Sequence, residues 1–127
     1  MKYCSGQTKY LIAIKEILDL KGYVRSVDIA NRLGVSKPSV SKMINCMGKY
    51  GLLIHDKSIG IELTSDGEKA VDEIFYYFDE IFIFFNKFLK LPPDDAHSQA
   101  VKFITEFPNE TCDGLKRIVK KTIKKRN

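Results

Sequence analysis

The sequence predicts a mainly α-helical chain in which residues 1–70 form a winged helix-turn-helix and residues 71–127 form an all-helical domain. Three observations predict this fold class. Two short helical segments meet at "LGVS", which is typical of a helix-turn-helix. Two short apolar runs then surround "DKSIG" and indicate a β-hairpin, the wing. A long aromatic segment follows and repeats its apolar residues at heptad-like spacing, which indicates a helix with a broad buried face.

The first helix is predicted over residues 7–21, because Tyr10 and Ile14 begin a helical repeat of apolar side chains that stops at Gly22. The second helix follows a short link and contains "VDIANRL". Ser26 is its expected N-cap, since a serine hydroxyl can accept a hydrogen bond from a backbone N–H group of the first turn.

The third helix begins after a sharp turn. Gly34 is expected to end the second helix and Ser36 to cap the third. Pro38 falls within the first turn, where its missing N–H has no intrahelical partner to lose. Val40 and Ile44 recur at helical spacing and predict a core face. The opposite face is small and basic, and it suits a polar, anionic partner. It consists of Lys37, Ser39 and Lys42.

The wing is predicted from the runs "LLIH" and "IGIELT", and Thr64 or Ser65 is expected to cap the long helix after it. Prolines 92 and 93 are expected to end that helix. Two further helices are predicted, one beginning at "DDAHSQ" and one ending in "KKTIKKRN". The apolar stripe of the long helix includes Val71, Phe78 and Phe85.

Four apolar residues of the long helix lie off its main stripe. A helix that is apolar on more than one side must bury a second face, and a chain of 127 residues has little else to bury it against. Another copy of the chain is the simplest partner. We therefore expect a homodimer whose interface includes Tyr76, Tyr77, Ile83 and Phe84.

Charge is distributed unevenly along the chain, which has a net charge of +5. Residues 1–50 contain nine Lys or Arg against three Asp or Glu, whereas residues 51–114 contain five against thirteen. The last thirteen residues contain seven basic side chains and no acidic one. A basic first half joined to an acidic middle favours a first half that faces nucleic acid.

Several classes of protein are disfavoured. The first residues lack the apolar stretch of a signal peptide, and no apolar run approaches the roughly 20 residues of a membrane span. Cys4, Cys46 and Cys112 are widely spaced and form no CxxC, so they are expected to be separate thiols in a reducing cytoplasm. We expect no enzyme, because the sequence lacks a nucleophile–base constellation, a Gly-rich phosphate loop and HExxH.

Three segments together resemble one family. "KGYVRSVDIANRLGVSKPSVSKMINCMGKYGLL", then "GIELTSDGEKA", then "FLKLPPDDAHSQAVKF" are similar, in the same order, to the metal-dependent repressors typified by the diphtheria toxin repressor and the manganese transport regulator. The length resembles the short branch of the family, which lacks an extra C-terminal domain. The resemblance implies a winged helix-turn-helix DNA-binding domain, a helical dimerisation domain, and an inverted-repeat site in double-stranded DNA for a transcriptional regulator, expected to be a repressor.

The resemblance also implies which residues meet DNA. The helix after the turn would enter the major groove, with Ser36, Pro38, Ser39 and Lys42 facing base edges. The residue chemistry agrees, since a lysine can donate to guanine and proline methylenes can pack on a thymine methyl group. Three further residues are expected near the phosphate backbone, the last of them at the wing tip. These are Ser26, Lys49 and Lys57.

The metal chemistry of the family is where the sequence departs from it. Mn²⁺ and Fe²⁺ need carboxylate and imidazole ligands, and the matching positions here offer hydrocarbon, one cation and one hydroxyl. We therefore expect no cofactor at the family site, and DNA binding that is independent of metal. Packing of the apolar side chains is expected to replace the ion. The matching positions are Lys9, Ile12, Phe78, Val101, Ile104 and Thr105.

Two alternatives stay open at the level of sequence. One is a repressor that responds to Mn²⁺ or Fe²⁺ through an unfamiliar ligand set drawn from His97, His55, Cys4 or the acids of the long helix. The other is a winged-helix module that binds protein and has lost DNA binding. The serine-rich helix with its lysines argues against the second alternative, because a protein-binding face tends toward aromatic residues.

Overall fold

The computed structural model describes residue 4 and residues 6–126, with the side chain of the last of these left out. Within this part of the chain there are six α-helices and one two-stranded sheet, so the predicted fold class is confirmed. The helices are α1 (Gln7–Lys21), α2 (Ser26–Leu33), α3 (Lys37–Lys49), α4 (Ser65–Ile83), α5 (Pro93–Glu106) and α6 (Asn109–Arg126). The strands are β1 (Leu53–Asp56) and β2 (Gly60–Leu63).

The chain divides into two compact units, Met1–Asp72 and Glu73–Asn127. The first unit contains α1 to α3, the hairpin and the beginning of α4, and the second contains the rest of α4 with α5 and α6. Their assignment as a DNA-binding and a dimerisation domain stays a prediction. None of the helices described has the length and apolarity that a membrane crossing requires.

Helix α1 has the bounds that the sequence predicted. It ends because Gly22 adopts a left-handed conformation, with φ of 80°, and its N–H donates to the Leu18 carbonyl at 2.8 Å. Three large side chains of α1 are almost completely buried and anchor the core of the first unit, together with apolar residues from α2, α3 and the link between α1 and α2. The central core residues are Leu11, Ile12, Ile14, Val24, Ile29, Val40, Ile44 and Met47.

The cap of α2 differs from the expectation. Ser26 is the first residue of the helix and Arg25 occupies the N-cap position. The Asp28 carboxylate accepts a hydrogen bond from the Arg25 N–H at 2.9 Å and an ion-paired hydrogen bond from Lys21 at 2.8 Å. A carboxylate accepts a charge-assisted bond and also suits the positive end of the helix dipole, so Asp28 stabilises the start of α2 from within its first turn, while Ser26 does not act as the cap.

The turn into α3 follows the prediction. Gly34 has φ of 66° and its N–H donates to the Ala30 carbonyl at 2.9 Å, which ends α2. Ser36 caps α3, since its hydroxyl oxygen accepts a hydrogen bond from the Ser39 N–H at 3.2 Å. Pro38 lies in the first turn of α3 as expected.

The hairpin is the predicted wing, and a backbone hydrogen bond attaches it to the link between α1 and α2. Strands β1 and β2 pair antiparallel, and the Ile61 N–H donates to the Val24 carbonyl at 2.8 Å. After the wing, Thr64 caps α4 by accepting a hydrogen bond from the Gly67 N–H at 3.1 Å. Gly67 lies so close to the backbone that a Cβ built on it would be 1.9 Å from the carbonyl oxygen of Leu52.

The long helix ends earlier than the sequence predicted. After α4 the chain forms a π-helical segment, Phe84–Phe88, and it leaves helical geometry before the prolines at 92 and 93. Lys90 takes φ of 64°, and the Asn86 amide donates to the Leu91 carbonyl at 3.0 Å. Local turn geometry therefore ends the helix. Pro92 and Pro93 instead begin α5, where a missing N–H costs nothing.

The second unit contains a nearly buried ion pair. Lys116 of α6 is 9% exposed, and its ammonium pairs with the Glu80 carboxylate and donates to the backbone carbonyl of Tyr76. The same ammonium lies 3.9 Å from the centre of the Tyr76 ring, a cation–π contact. These contacts join α6 to α4 within the unit.

The expectation of three separate thiols is wrong for two of the cysteines. Cys4 and Cys46 form a disulfide, with Cα atoms 6.5 Å apart, whereas Cys112 is buried and is not disulfide-bonded. The two bonded cysteines are 42 residues apart in sequence, so no local spacing motif indicated the bond.

Candidate nucleic-acid interface

The exposed face of α3 is present in the structure. Val40, Ile44 and Met47 are buried on one side, while the predicted DNA-facing residues are exposed on the other. Because residues three or four apart share one side of a helix, Ser39 and Lys42 are neighbours on this face. The exposed residues are Ser36, Lys37, Pro38, Ser39, Lys42 and Lys49.

The two serines at the start of α3 have different roles. The Ser36 hydroxyl donates to the Ser39 hydroxyl at 2.8 Å while it accepts from the Ser39 N–H, so Ser36 is occupied by the cap. Ser39 accepts in this pair, which leaves its own hydroxyl hydrogen for another acceptor. Ser39 is therefore better suited than Ser36 to donate to a base edge.

The wing tip is ordered by one carboxylate. Asp56 accepts hydrogen bonds from the Ser58 hydroxyl and N–H, both at 2.7 Å, and from the Ile59 N–H at 3.1 Å. These bonds, the one from the Ser58 hydroxyl foremost, lower the pKa of the Asp56 carboxyl. Lys57 is exposed at this tip, where its ammonium can approach a phosphate, as the sequence predicted for it.

Arg25 was missed by the reasoning from sequence. Its guanidinium is exposed and donates to the Ser58 carbonyl at 3.3 Å, so it joins the start of α2 to the wing. It also lies 5.9 Å from the Tyr23 ring centre. A planar guanidinium with several donors binds phosphate well. Arg25 is thus a candidate backbone contact beside Ser26, which is half-buried. The only signal in the sequence was its place directly before the expected cap.

The residues at the family metal positions do not fit a metal ion. In the first unit, Ile12 is 1% exposed and Lys9 is an exposed cation. In the second unit, Phe78 is buried and the Thr105 hydroxyl donates to the Val101 carbonyl at 2.8 Å. Hydrocarbon and ammonium groups offer no lone pair to Mn²⁺ or Fe²⁺. Ile104, the remaining position, is a half-buried hydrocarbon as well.

The alternative ligands named from the sequence are not brought together. Cys4 is bonded to Cys46, and in this disulfide form it offers no thiolate. The His97 ring packs against Phe78, with centroids 5.2 Å apart, and His55 lies exposed on β1. Within residue 4 and residues 6–126, no three His, Cys, Asp or Glu side chains are grouped closely enough to hold an ion.

The predicted dimer residues are only partly covered within their unit. Tyr76 is 56% exposed, and the other three are half-buried. Tyr76 contacts the Tyr77 ring edge-on at 5.0 Å, and Phe84 contacts Phe85 and Phe88. The half-buried residues are Tyr77, Ile83 and Phe84.

Solved structures with the same fold include several regulators. The chain is 25% identical to the metal-dependent transcriptional regulator MtsR over 91% of this chain and 54% of that one, with a TM-score of 0.78. ScaR with bound Zn²⁺ is 24% identical over the same shares, with a TM-score of 0.68. The hypothetical protein SSo2273 from Sulfolobus solfataricus is 22% identical over 91% and 88%, with a TM-score of 0.60.

The chain spans about half the length of MtsR and ScaR, but most of the length of SSo2273. The likeness to ScaR and SSo2273 shows the fold. A family model described as the iron dependent repressor, N-terminal DNA binding domain, matches residues 5–61, which include α1, α2, α3 and the hairpin up to the second strand. Together these findings support a transcriptional regulator. The resemblance drawn from the sequence is confirmed, because residues 5–61 match the model of this DNA-binding domain family.

Proposed function

We propose that the protein is a homodimeric transcriptional regulator that binds double-stranded DNA at an inverted repeat, with α3 in the major groove and no requirement for a metal ion at the family positions. The observation that carries the DNA proposal is the exposed small and basic face of α3, opposite a fully buried apolar face. The match of residues 5–61 to a DNA-binding family supports it.

Two lysines of α3 have separable roles in this proposal. Lys42 lies on the face beside Ser39, where it reads bases, while Lys49 is the last residue of α3 and contacts the phosphate backbone. Lys42→Ala should therefore cost about 1–3 kcal/mol of binding free energy and relax base preference. Lys49→Ala should weaken all sequences alike, because a phosphate contact carries no sequence information.

The test is a titration of duplex DNA selected from a random library with the wild type and both variants. Selected sequences should contain two half-sites whose centres are about 34 Å apart or a multiple of that distance. If the dimer neutralises about six phosphates, the slope of log affinity against log salt should be near −5. The DNA proposal fails if Lys42→Ala changes neither affinity nor sequence preference, and a winged-helix module that binds protein then becomes the better explanation.

Metal independence is tested by the same titration in excess chelator and in excess Mn²⁺ or Fe²⁺. Ile12, Phe78, Val101 and Ile104 have no donor atom in their side chains, so metal addition should leave the affinity unchanged. A sensor must bind the ion differently in its two states, and typical coupling would then change DNA affinity about 10-fold or more. A gain of that size with either metal would favour the alternative, a repressor with an unfamiliar ligand set.

A further inference from the structure

The Cys4–Cys46 disulfide lies beside the DNA-facing side of α3. Cys46 follows Ser39 by seven residues and Lys42 by four, and it precedes Lys49 by three. These spacings place it on the same side of the helix as those residues. Cys46 is half-buried, so its sulfur is at the boundary between the exposed face and the core.

Cys4 is held in place by contacts of its own. It is 7% exposed, its N–H donates to the Gln7 side-chain oxygen at 3.3 Å, and its carbonyl accepts from the Gln7 N–H at 3.1 Å. Gly6 turns the chain with φ of 84°, and a Cβ built on it would lie 3.6 Å from the Met43 methyl group. Cys4 and Gly6 thus lie beside α3, and the fold brings the two sulfurs together.

The bond closes a loop that contains α1, α2, the turn and most of α3. It therefore fixes the C-terminal half of α3 to Cys4, three residues before α1. The residues proposed to read bases, Ser39 and Lys42, lie in the first half of α3 and stay uncovered by this attachment. In docked helix-turn-helix domains the N-terminal part of the recognition helix contacts base edges, so the bond leaves the reading surface open.

We propose that Cys4 and Cys46 form a redox-active pair whose disulfide state sets the DNA affinity of α3, with the oxidised protein binding more tightly. This inference rests on the proposed DNA-binding function. A helix fixed at one end loses less conformational freedom when it docks, and pre-organisation of this kind raises affinity. Reduction releases the attachment and lowers the affinity.

The chemistry is thiol–disulfide exchange with a low-molecular-weight disulfide such as oxidised glutathione. A thiolate of the pair attacks the glutathione disulfide and releases one glutathione, and the second thiolate then attacks the mixed disulfide and releases the other. Two protein thiols are oxidised, one glutathione disulfide is reduced to two thiols, and the protons pass to the solvent and the released thiolates. Excess reduced glutathione reverses these steps. The glutathione thiolate attacks the sulfur of Cys46, because Cys46 is more exposed than Cys4.

Reciprocal linkage makes the proposal quantitative. If oxidation raises DNA affinity by some factor, bound DNA must raise the equilibrium constant for disulfide formation by the same factor. If the disulfide only stabilised the fold, oxidation would leave the DNA affinity unchanged, and bound DNA would leave the equilibrium constant for disulfide formation unchanged.

The experiment measures DNA affinity of the full chain, oxidised with glutathione disulfide or reduced with excess glutathione, on the duplex selected above. We expect the oxidised form to bind about 5-fold or more tightly, the lower range of typical coupling between sites. The fraction of the Cys4–Cys46 disulfide is then measured by thiol alkylation and mass spectrometry at several glutathione ratios, with and without DNA. The midpoint should shift by the same factor as the affinity.

Two variants test whether the redox response of DNA binding comes from the Cys4–Cys46 pair. Cys4→Ser leaves α3 intact, and it should bind DNA like the reduced wild type in both buffers. Cys112→Ser changes the third cysteine, in the second unit, and it should respond to redox state as the wild type does. Circular dichroism checks that both variants are folded, and the reduced wild type tests the coupling without any substitution.

Three results would overturn the proposal. Equal DNA affinities of the oxidised and reduced wild type would remove the redox coupling and leave the DNA-binding function standing. A missing Cys4–Cys46 disulfide in the protein oxidised with glutathione disulfide would remove the pair itself. Absence of duplex binding in both redox states would remove the proposed function together with this inference.

Discussion

The two units of the chain differ in how completely they cover their apolar side chains. In the first unit, Leu11, Ile14 and Val24 are 0% exposed, and the core is made mainly of aliphatic residues. The second unit contains all eight phenylalanines, each of them in the described part of the chain, and Phe78 alone among them is buried. The first unit thus closes a core within one chain, whereas the second leaves large aromatic surface partly open.

This difference bears on what stabilises each unit. The first is held by a closed aliphatic core, helix caps and close backbone contacts. The second has partly open aromatic surface and a nearly buried ion pair, and it gains more from contact with another surface. Burial of apolar area stabilises by about 25 cal/mol per Å². A second copy at the second unit, as proposed, would supply the missing burial, and the following variants test this comparison.

The largest effect is expected from the ion pair of the second unit. Lys116→Ala leaves the Glu80 carboxylate, with 16% of its side chain exposed, without its cation. Because an unpaired charge in a mostly dry site is costly, the free energy of unfolding should fall by about 3 kcal/mol in urea denaturation. The matched control replaces both groups, Lys116→Met with Glu80→Leu, and should stay within about 1 kcal/mol of wild type. A single variant as stable as the double one would mean that the pair is well solvated.

The next effect concerns the open aromatic surface. Ile83→Glu places a charge in the proposed dimer interface, and it should raise the dimer dissociation constant about 100-fold, because a desolvated charge there has no partner. Leu20→Glu is the control, since Leu20 is 75% exposed on α1 of the first unit. Sedimentation at micromolar concentration should show twice 14.5 kDa for wild type and control, and a larger monomer fraction for Ile83→Glu. A wild type that sediments as a monomer would contradict the proposed homodimer.

A smaller effect tests the close packing of the first unit. Gly67→Ala puts a methyl group into the Leu52 carbonyl, so the backbone must shift, and unfolding free energy should fall by about 1–3 kcal/mol. Gly48→Ala is the control inside α3, where a Cβ would lie 3.9 Å from Leu53. Alanine is the better helix former, so this variant should gain about 0.5–1 kcal/mol. Thermal unfolding distinguishes the two, and equal stability of both would contradict the close contact.

The smallest effect concerns the cap of α2. Asp28→Ala should cost about 1 kcal/mol at neutral pH by removing the bond to the Arg25 N–H. The hydrogen bond from Lys21 is the main cause that lowers the pKa of the Asp28 carboxyl from its ordinary value of 3.8. A carboxyl with a lowered folded pKa contributes its stability above 3.8 and loses it as the pH falls through the folded pKa.

The difference in unfolding free energy between wild type and Asp28→Ala should therefore be constant near neutral pH and disappear in acid. Asp72→Ala, which removes an exposed carboxylate of α4, should change stability by less than about 0.5 kcal/mol at any pH. Urea denaturation between pH 2 and pH 7 measures both variants, and a difference that grows in acid would contradict the assigned direction.

The sequence by itself determined the order and type of the elements, and most of the helix ends. Glycines at 22 and 34 could end α1 and α2 because a left-handed residue satisfies the last carbonyls at little steric cost. Ser36 and Thr64 act within three residues of their partners, as does every N-cap. The exposed face of α3 was also predictable, since helical periodicity alone separates it from the core.

Only the tertiary structure decided which distant residues meet. The disulfide joins residues 42 apart, Arg25 reaches Ser58 across 33 residues, and Lys116 reaches Glu80 across 36. The start of α2 combines both kinds of contact, because Asp28 accepts from the Arg25 N–H three residues away and also ion-pairs with Lys21 of α1. Turn and helix signals are short-range and can be read from neighbouring residues, whereas these pairs form only after the packing of whole helices has closed the loops between them.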